Sequence, residues 1–209
     1  MRNHRTRLVL PAAVAGLACL LSAVPKAARD APVVAALQAE LGDMLYREGR
    51  FRDAVEPYEQ AFIAAAPDRR PALGRQLTRA LLRSAEFRRA RDVAFQVSML
   101  DPSDPESIAL EADTLWAAGL FEEAEASYRR ALQVNPDTPR AHNGLARALL
   151  ARGDPEEAMA EARAAILAEP WEPDWHHTMG SVYQAGRRYR EAADAFTSYV
   201  VLLPYRETN

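Results

Sequence analysis

The sequence has few of the residues that most often carry chemistry. Cys19 is the only cysteine and lies near the N-terminus, so the rest of the chain can form neither an internal disulfide nor a cysteine metal site. It contains no glycine-rich phosphate loop and no serine, histidine and acid in a recognisable catalytic motif. No stretch alternates apolar and polar residues with a period of two, which argues against a β-sheet. These absences predict a helical protein that is not an enzyme and binds no cofactor or metal ion.

Basic residues are scarce in the body of the chain relative to acidic ones. The whole sequence has a net charge of −3, and Lys26 is the only lysine. Residues 1–32 hold five of the basic residues and a single acid, which leaves the remainder more acidic than the total suggests. Because nucleic-acid-binding proteins present a basic face, we expect no nucleic-acid partner.

Residues 1–30 have the composition of an export signal or an N-terminal membrane anchor. Three arginines within the first seven residues precede an uncharged run from Leu8 to Pro25, as in a bacterial signal peptide. A helix over this run would reach about 27 Å, close to the ~30 Å hydrocarbon core of a bilayer, so a retained anchor is the alternative. In either case we expect export across the inner membrane, with the body periplasmic or facing the periplasm or cell exterior. Residues 16–19 loosely resemble a lipobox, which makes lipidation of Cys19 a further alternative.

Prolines that recur at a fixed interval divide the rest of the chain into repeats. Pro102, Pro136, Pro170 and Pro204 lie 34 residues apart, and an alanine stands twelve residues before each. Within each unit, apolar residues recur at helical spacing on both sides of a short turn, which predicts two helices. One further unit can be recognised upstream. The predicted units are 35–68, 71–104, 105–138, 139–172 and 173–206, after a connector at 31–34 and before a tail at 207–209.

In this register the chain resembles the tetratricopeptide repeats, a family of 34-residue helix–turn–helix units. The family places a small residue at the eighth position, alanine at the twentieth, an aromatic at the twenty-fourth and proline at the thirty-second. The resemblance implies an all-α fold, a right-handed solenoid of five units with about ten antiparallel helices, preceded by the apolar leader. Most of these positions match the family pattern, and a few depart from it. The departures are Thr78, Ala94, Ala162 and Glu111; the matches besides the prolines are Gly42, Ala112, Ala146, Gly180, Ala54, Ala90, Ala124, Ala158, Ala192, Tyr58, Tyr128 and Phe196.

The resemblance also implies that the first helices of the units line a concave groove that binds a peptide-like segment of a partner. Arg75, Arg79 and Arg83 are spaced i, i+4, i+8 and form one stripe, which predicts an acidic segment or a C-terminal carboxylate as ligand. The alternative is a solvated face, partly neutralised by Asp43 and Asp113. The whole predicted lining is Asp43, Tyr46, Arg47, Arg75, Arg79, Arg83, Asp113, Trp116, Asn143, Arg147, His177, Ser181 and Gln184.

Two further features have a structural and a functional interpretation. The last helix, near residues 190–203, presents an apolar stripe with no later unit to cover it, which predicts a homodimer or partner interface unless the tail shields it. This end-interface consists of Phe196, Tyr199, Val200 and Leu203. His142 and His176 share one repeat position usually filled by a packing residue, which favours packing over metal binding.

The sequence therefore predicts a non-catalytic protein–protein interaction scaffold of the bacterial cell envelope. One alternative is a structural subunit of an envelope or secretion assembly that contacts its neighbours through the last helix. Another is an accessory domain that positions a separately encoded enzyme.

Overall fold

The computed structural model describes residues 31–203, and within that range the chain forms ten helices and no strand. The leader, with Cys19, and the residues from Pro204 onward lie outside the described part. No described helix is long and apolar enough to cross a bilayer. The helices are α1 (Ala31–Arg47), α2 (Phe51–Ala64), α3 (Arg70–Arg83), α4 (Phe87–Leu100), α5 (Pro105–Ala117), α6 (Phe121–Val134), α7 (Pro139–Arg152), α8 (Pro155–Ala168), α9 (Pro173–Ala185) and α10 (Tyr189–Leu202).

Consecutive helices pair into five hairpins that stack in chain order. Each odd-numbered helix packs against the even-numbered helix that follows it, and each hairpin packs against the next along the chain. No hairpin could bury its apolar face alone, so stacking creates the continuous core. The all-α solenoid predicted from the repeat spacing is confirmed.

The predicted connector at residues 31–34 is wrong, because these residues form the first turn of α1. Ala35 is buried at the start of this helix and packs with Ala61, Ala65 and Leu73.

The prolines of the repeat lie where the second helix of a hairpin has just ended. Helices α4, α6 and α8 end two residues before Pro102, Pro136 and Pro170, respectively. Proline cannot donate a backbone hydrogen bond and clashes with the preceding turn, so the helix does not continue through it. The next helix then begins on a second proline, as at Pro105, where Asp104 caps the helix by accepting the Ser107 N–H at 3.1 Å.

The turn inside each hairpin places one residue in the left-handed region. Gly153 occupies it with a φ of 94°, and Gly49 and Gly119 do so in their own units. At the same repeat position the other two units have Ala85 (φ 63°) and Arg187 (φ 58°). A side chain at this φ is strained, so two of the five turns carry a conformational cost that glycine would remove.

Close helix packing depends on small residues under aromatic rings. A Cβ atom on Gly42 would lie 2.6 Å from the ring of Tyr58, and one on Gly180 would lie 2.6 Å from Phe196. The small residue predicted at the eighth position is therefore required in both units. The sequence did not indicate Gly144, whose Cβ would lie 2.2 Å from the Tyr128 ring of the preceding unit.

Candidate functional site

The first helices of the hairpins line a groove of about 440 Å³. The rings of Tyr46, Phe87 and Trp116 lie where α1, α3 and α5 end, and Trp175 lies near the start of α9. Eight of the predicted lining residues share this groove. They are Tyr46, Arg79, Arg83, Asp113, Trp116, Asn143, Arg147 and His177.

The remaining predicted residues lie elsewhere. Asp43 and Arg47 line an adjoining cavity of about 400 Å³ that shares Tyr46 and Arg79 with the groove. Ser181 donates its hydroxyl to the His177 carbonyl at 3.1 Å, and Gln184 is an exposed residue outside the groove. Both fall in the last unit, so the groove spans the array without reaching the end of α9.

The arginine stripe of α3 is held by carboxylates at the N-terminal ends of α5 and α9. Arg75 donates from Nη1 to Asp104 Oδ2 at 2.6 Å, outside the groove. Arg79 donates from Nη2 to Glu106 Oε1 at 2.6 Å. Arg75 and Arg79 are therefore already paired with carboxylates. This excludes, for these two residues, both an open anion site and an unpaired solvated face.

Arg83, the third member of the stripe, reaches across to the last unit. Its Nη1 lies 3.7 Å from Asp174 Oδ2 on α9, and its guanidinium lies 4.5 Å from the centre of the Phe51 ring. The expectation that Asp43 and Asp113 would neutralise the stripe is wrong, because both carboxylates are occupied by other donors. The stripe pairs with Asp104, Glu106 and Asp174 instead.

Asp113 is the hub of the polar centre. Its side chain is only 11% exposed. Its Oδ1 accepts the Tyr128 hydroxyl and Arg147 Nη2, both at 2.6 Å, and its Oδ2 accepts Arg140 Nη1 at 3.0 Å. Burial alone would raise the pKa of Asp113, but the two guanidiniums and the Tyr128 hydroxyl outweigh it and hold this pKa below its usual range. The carboxylate is therefore charged at neutral pH.

The hub extends into a network that crosses three units. Arg140 Nε donates to Glu106 Oε1 at 2.6 Å, the same oxygen that accepts from Arg79. Sequence reasoning missed Arg140, although a signal existed. Glu106 and Arg140 are opposite charges 34 residues apart, as are Asp113 and Arg147, so each pair occupies one repeat position in neighbouring units.

Three atoms in the groove lining are buried without a hydrogen-bond partner. They are Arg79 Nε, Arg147 Nε and Asn143 Oδ1, and across residues 31–203 only Arg70 Nε shares this condition. Asn143 is 6% exposed. A buried polar atom without a partner costs about 1–3 kcal/mol, and because these atoms are closed to solvent, a ligand in the groove could not supply the missing partners unless the side chains moved.

Comparison with known proteins agrees with this repeat architecture. Residues 110–173 match the family model of the tetratricopeptide repeat. These residues are tetratricopeptide repeats, and the five hairpins of residues 31–203 have the helix–turn–helix architecture of that family. Proteins built from such repeats serve as scaffolds for protein–protein interaction and are generally non-catalytic. A search of curated proteins finds no match.

Two solved structures show how far the tetratricopeptide likeness extends. TTC0263, a thermophilic TPR protein in Thermus thermophilus, has a TM-score of 0.71 and 19% identity, over 83% of this chain and 97% of that one. MamA 41-end from Desulfovibrio magneticus RS-1 has a TM-score of 0.53 and 20% identity, over 81% of this chain and 94% of that one. At these identities the likeness shows the fold alone.

The apolar end of the groove is formed by aromatic side chains. Trp116 packs edge-on against Phe121, with ring centres 4.7 Å apart, and the Arg147 guanidinium lies 5.4 Å from the Trp116 ring centre. Phe87 is 42% exposed at the rim, and Tyr46 completes this end. The aromatic end and the polar hub are joined by the contact of Arg147 with Trp116.

The shared histidine position contacts the proline carbonyl of the preceding unit, and His142 also pairs with a carboxylate of its own unit. His142 places Nδ1 2.6 Å from Glu161 and Nε2 2.7 Å from the Pro136 carbonyl oxygen. His176 places Nε2 2.8 Å from the Pro170 carbonyl oxygen. Among the described residues, no three metal-ligating side chains lie close enough together to hold an ion.

The predicted end-interface divides into two parts on α10. Phe196 and Tyr199 are partly covered by the His177 ring, whose centre lies 5.6 and 5.2 Å from theirs. Val200 is 60% exposed and Leu203 36% exposed. The exposed part is therefore smaller than the stripe read from the sequence.

Proposed function

We propose that this tetratricopeptide array binds a peptide-like segment of a partner protein in its concave groove. The observation that carries the proposal is the lining of the groove, where the exposed ring of Phe87 and the ring of Trp116 stand beside charged side chains of the first helices. The rings supply apolar surface, and the charged side chains supply hydrogen-bonding groups. A peptide offers apolar side chains and main-chain hydrogen-bonding groups, so it matches both parts of this lining.

The charges of the groove do not select for an acidic segment. Its guanidiniums are matched in number by the carboxylates that line it or pair with them. A carboxylate from a partner would have to compete with these carboxylates for the guanidiniums. We therefore expect no particular charge on the bound segment. The guanidiniums belong to Arg79, Arg83, Arg140 and Arg147, and the carboxylates to Glu106, Asp113, Glu172 and Asp174.

Selection from a random dodecapeptide phage library on the immobilised full chain tests this function. Peptides enriched on the wild type should lose at least about tenfold in affinity for Trp116→Ala, because aromatic anchors dominate such interfaces. They should bind the Arg163→Gln variant normally, since Arg163 is exposed on α8, which does not line the groove. Enrichment that survives Trp116→Ala and Asn143→Leu alike would show that the groove is not the binding site.

We further propose that this scaffold acts in the bacterial cell envelope. The support is the basic start and uncharged run of residues 1–30. Fusion of the full chain to alkaline phosphatase in a Gram-negative host should give activity only after export. Phosphatase activity as low as that of a fusion lacking residues 1–30 would contradict this location.

A second candidate is a structural subunit that assembles through α10. The specific support is a repeat position that is buried in each of the first four units, at Ala61, Val97, Ala131 and Ala165. In the last unit the same position is Tyr199, which is only partly buried, and the neighbouring Val200 and Val201 are 60% and 57% exposed. Sedimentation velocity of the full chain should then show a dimer that Val200→Glu converts to monomer. A monomer at every concentration would rule out self-assembly through this helix.

A further inference from the structure

We propose that the first two units of the array lie on the membrane surface, with Ile63, Phe95 and Met99 inserted into the bilayer interface. These three residues form the lipid patch. This inference rests on the proposed envelope location and on retention of residues 1–30 as an anchor. It assigns a lipid-facing surface that shares no residue with the groove.

One repeat position is apolar and exposed in four of the five units. It holds Ile63, Met99, Leu167 and Val201, each more than half exposed, and Gln133 in the third unit. A single exposed apolar side chain is ordinary. Because these side chains point away from the core, their shared apolar character does not serve packing within residues 31–203. A recurrent exposed apolar position of this kind indicates a contact with something outside that part of the chain.

This position lies at the edge of the array where successive hairpins are joined. Ile63, Met99 and Leu167 are each the last residue but one of their helix. The helices of a hairpin are antiparallel, so the start of α1 lies at the same edge, where Ala35 packs with Ala61 near the end of α2. The leader therefore joins the array beside Ile63.

The second unit widens the apolar surface, and the later units do not. Phe95 is more than half exposed and lies one turn before the recurrent position on α4. The corresponding residues of the third and fourth units are the exposed Arg129 and Arg163. In the first unit the residue is Glu59, which pairs with Arg89 of α4 at 3.0 Å. The outer face is thus most apolar next to the leader and charged farther from it.

The length of the leader favours a bilayer as the occupant of this surface. The uncharged run ends at Pro25 and α1 begins at Ala31, so the link between them spans at most about 20 Å. With the run in the bilayer, this link holds the start of α1, and with it Ile63, near the lipid surface. A solenoid winds away from a flat surface, so only the units beside the anchor can lie on it.

The contact needs little apolar area because the anchor already holds the array at the bilayer. A tether converts the second contact into an intramolecular step with a high effective concentration. Moving large apolar side chains from water into the interface is favourable, so the lipid patch can orient the array. The groove stays open to solvent in this orientation, since its lining comes from other side chains.

Spin labels on the full chain in lipid nanodiscs test this proposal. Cys19→Ser removes the only native cysteine, and one new cysteine is then introduced by Ile63→Cys, by Met99→Cys or, as the matched control, by Leu167→Cys. Discs of phosphatidylethanolamine and phosphatidylglycerol expose both membrane faces to the buffer. Oxygen concentrates in lipid and a nickel chelate stays in water, so the ratio of their collision rates should be about tenfold higher for the first two labels than for the control.

A further variant shows whether the patch itself makes the contact. Phe95→Ser with Met99→Ser should lower the ratio of the Ile63→Cys label about tenfold, and Leu167→Ser should leave it unchanged. Equal ratios for the three single labels would overturn the lipid contact. Spin–spin broadening at Ile63→Cys would overturn it in favour of a second copy on the patch.

The same preparation separates this inference from the proposals on which it rests. A full chain that does not enter the discs would overturn the retained anchor and the lipid contact together. Export would still be decided by the phosphatase fusion, and peptide binding by selection on the groove variants. Labels that contact water alone in a chain that does enter the discs would overturn the lipid contact and leave the anchor intact.

Discussion

Replacing Asp113 by asparagine removes the negative charge at the centre of the groove network without changing the shape of the side chain. The carboxylate is 11% exposed and accepts hydrogen bonds from Tyr128, Arg140 and Arg147. In the variant, both guanidiniums face a neutral amide that can itself donate. Removing one partner from a buried ion pair typically costs about 3–5 kcal/mol.

The repeat supplies a matched control for Asp113→Asn. Asp43 stands at the same position of the first unit and accepts the Tyr58 hydroxyl at 2.7 Å, as Asp113 does from Tyr128. Its other donor is the Gln76 amide at 3.0 Å, which carries no charge. We therefore expect Asp43→Asn to cost about 1 kcal/mol, the usual value of a hydrogen bond between such groups.

Urea denaturation of the full chain at pH 7 measures both costs. Circular dichroism and tryptophan fluorescence should be followed together, because repeat arrays can unfold in stages and coincident transitions justify a single free energy. Equal losses of unfolding free energy in Asp113→Asn and Asp43→Asn would refute the claim that pairing with two arginines makes Asp113 contribute more to stability than Asp43.

The pH dependence of the unfolding free energy gives a second comparison of wild type with Asp113→Asn. Because the folded-state pKa of Asp113 is lowered, its contribution to stability is present above the unfolded pKa of about 3.9 and is lost as the pH falls through the folded value. The stability difference between wild type and Asp113→Asn should therefore be constant near neutral pH and shrink below about pH 4. A gap that stays constant down to pH 2 would contradict a charge-based cost.

Three further predictions concern the repeat scaffold. Ala85→Gly and Arg187→Gly should each raise the unfolding free energy by about 1 kcal/mol, since both residues have positive φ. Gly119→Ala, at the same repeat position, should lower it. A lower unfolding free energy in either glycine variant would contradict backbone strain at these turns. Gly144→Ala should cost about 1–3 kcal/mol in urea denaturation, because its Cβ would lie 2.2 Å from a tyrosine ring; an unchanged midpoint would show that the ring can move. The pKa of His142 is raised by its carboxylate partner, so the contribution of this pair to stability is fully present below the unfolded pKa of about 6.5 and is lost as the pH rises through the folded value. His142→Gln should therefore lower the unfolding free energy more at pH 5.5 than at pH 9. A larger loss at pH 9 would count against this ion pair.

Most of the fold could be predicted from the sequence because it depends on spacing along the chain. The proline interval located the ends of α4, α6 and α8, since proline stops a helix whatever surrounds it. The groove lining could be assigned in part for the same reason: Trp116, Asn143 and Arg147 follow from their repeat positions.

What the sequence did not reveal depends on long side chains that reach between units. Arg75 and Arg79 look free on their own helix, but acids at the start of α5 pair with them. Gly144 was missed because its constraint comes from Tyr128 of the preceding unit rather than from its own hairpin. Arg140 was missed because its role follows from pairing at both ends, with Glu106 and with Asp113.

The three tryptophans allow the most direct measurement of whether the concave groove is the peptide site. Trp116 and Trp175 line the groove, whereas Trp171 is 73% exposed and lies outside it. A library-selected peptide should be titrated into the full chain labelled with ¹⁵N at its indole nitrogens, and the three indole resonances followed. We expect the Trp116 resonance to shift in a saturable way while that of Trp171 stays in place. Saturable binding that moves only the Trp171 resonance, or none of the three, would contradict a peptide site in the groove.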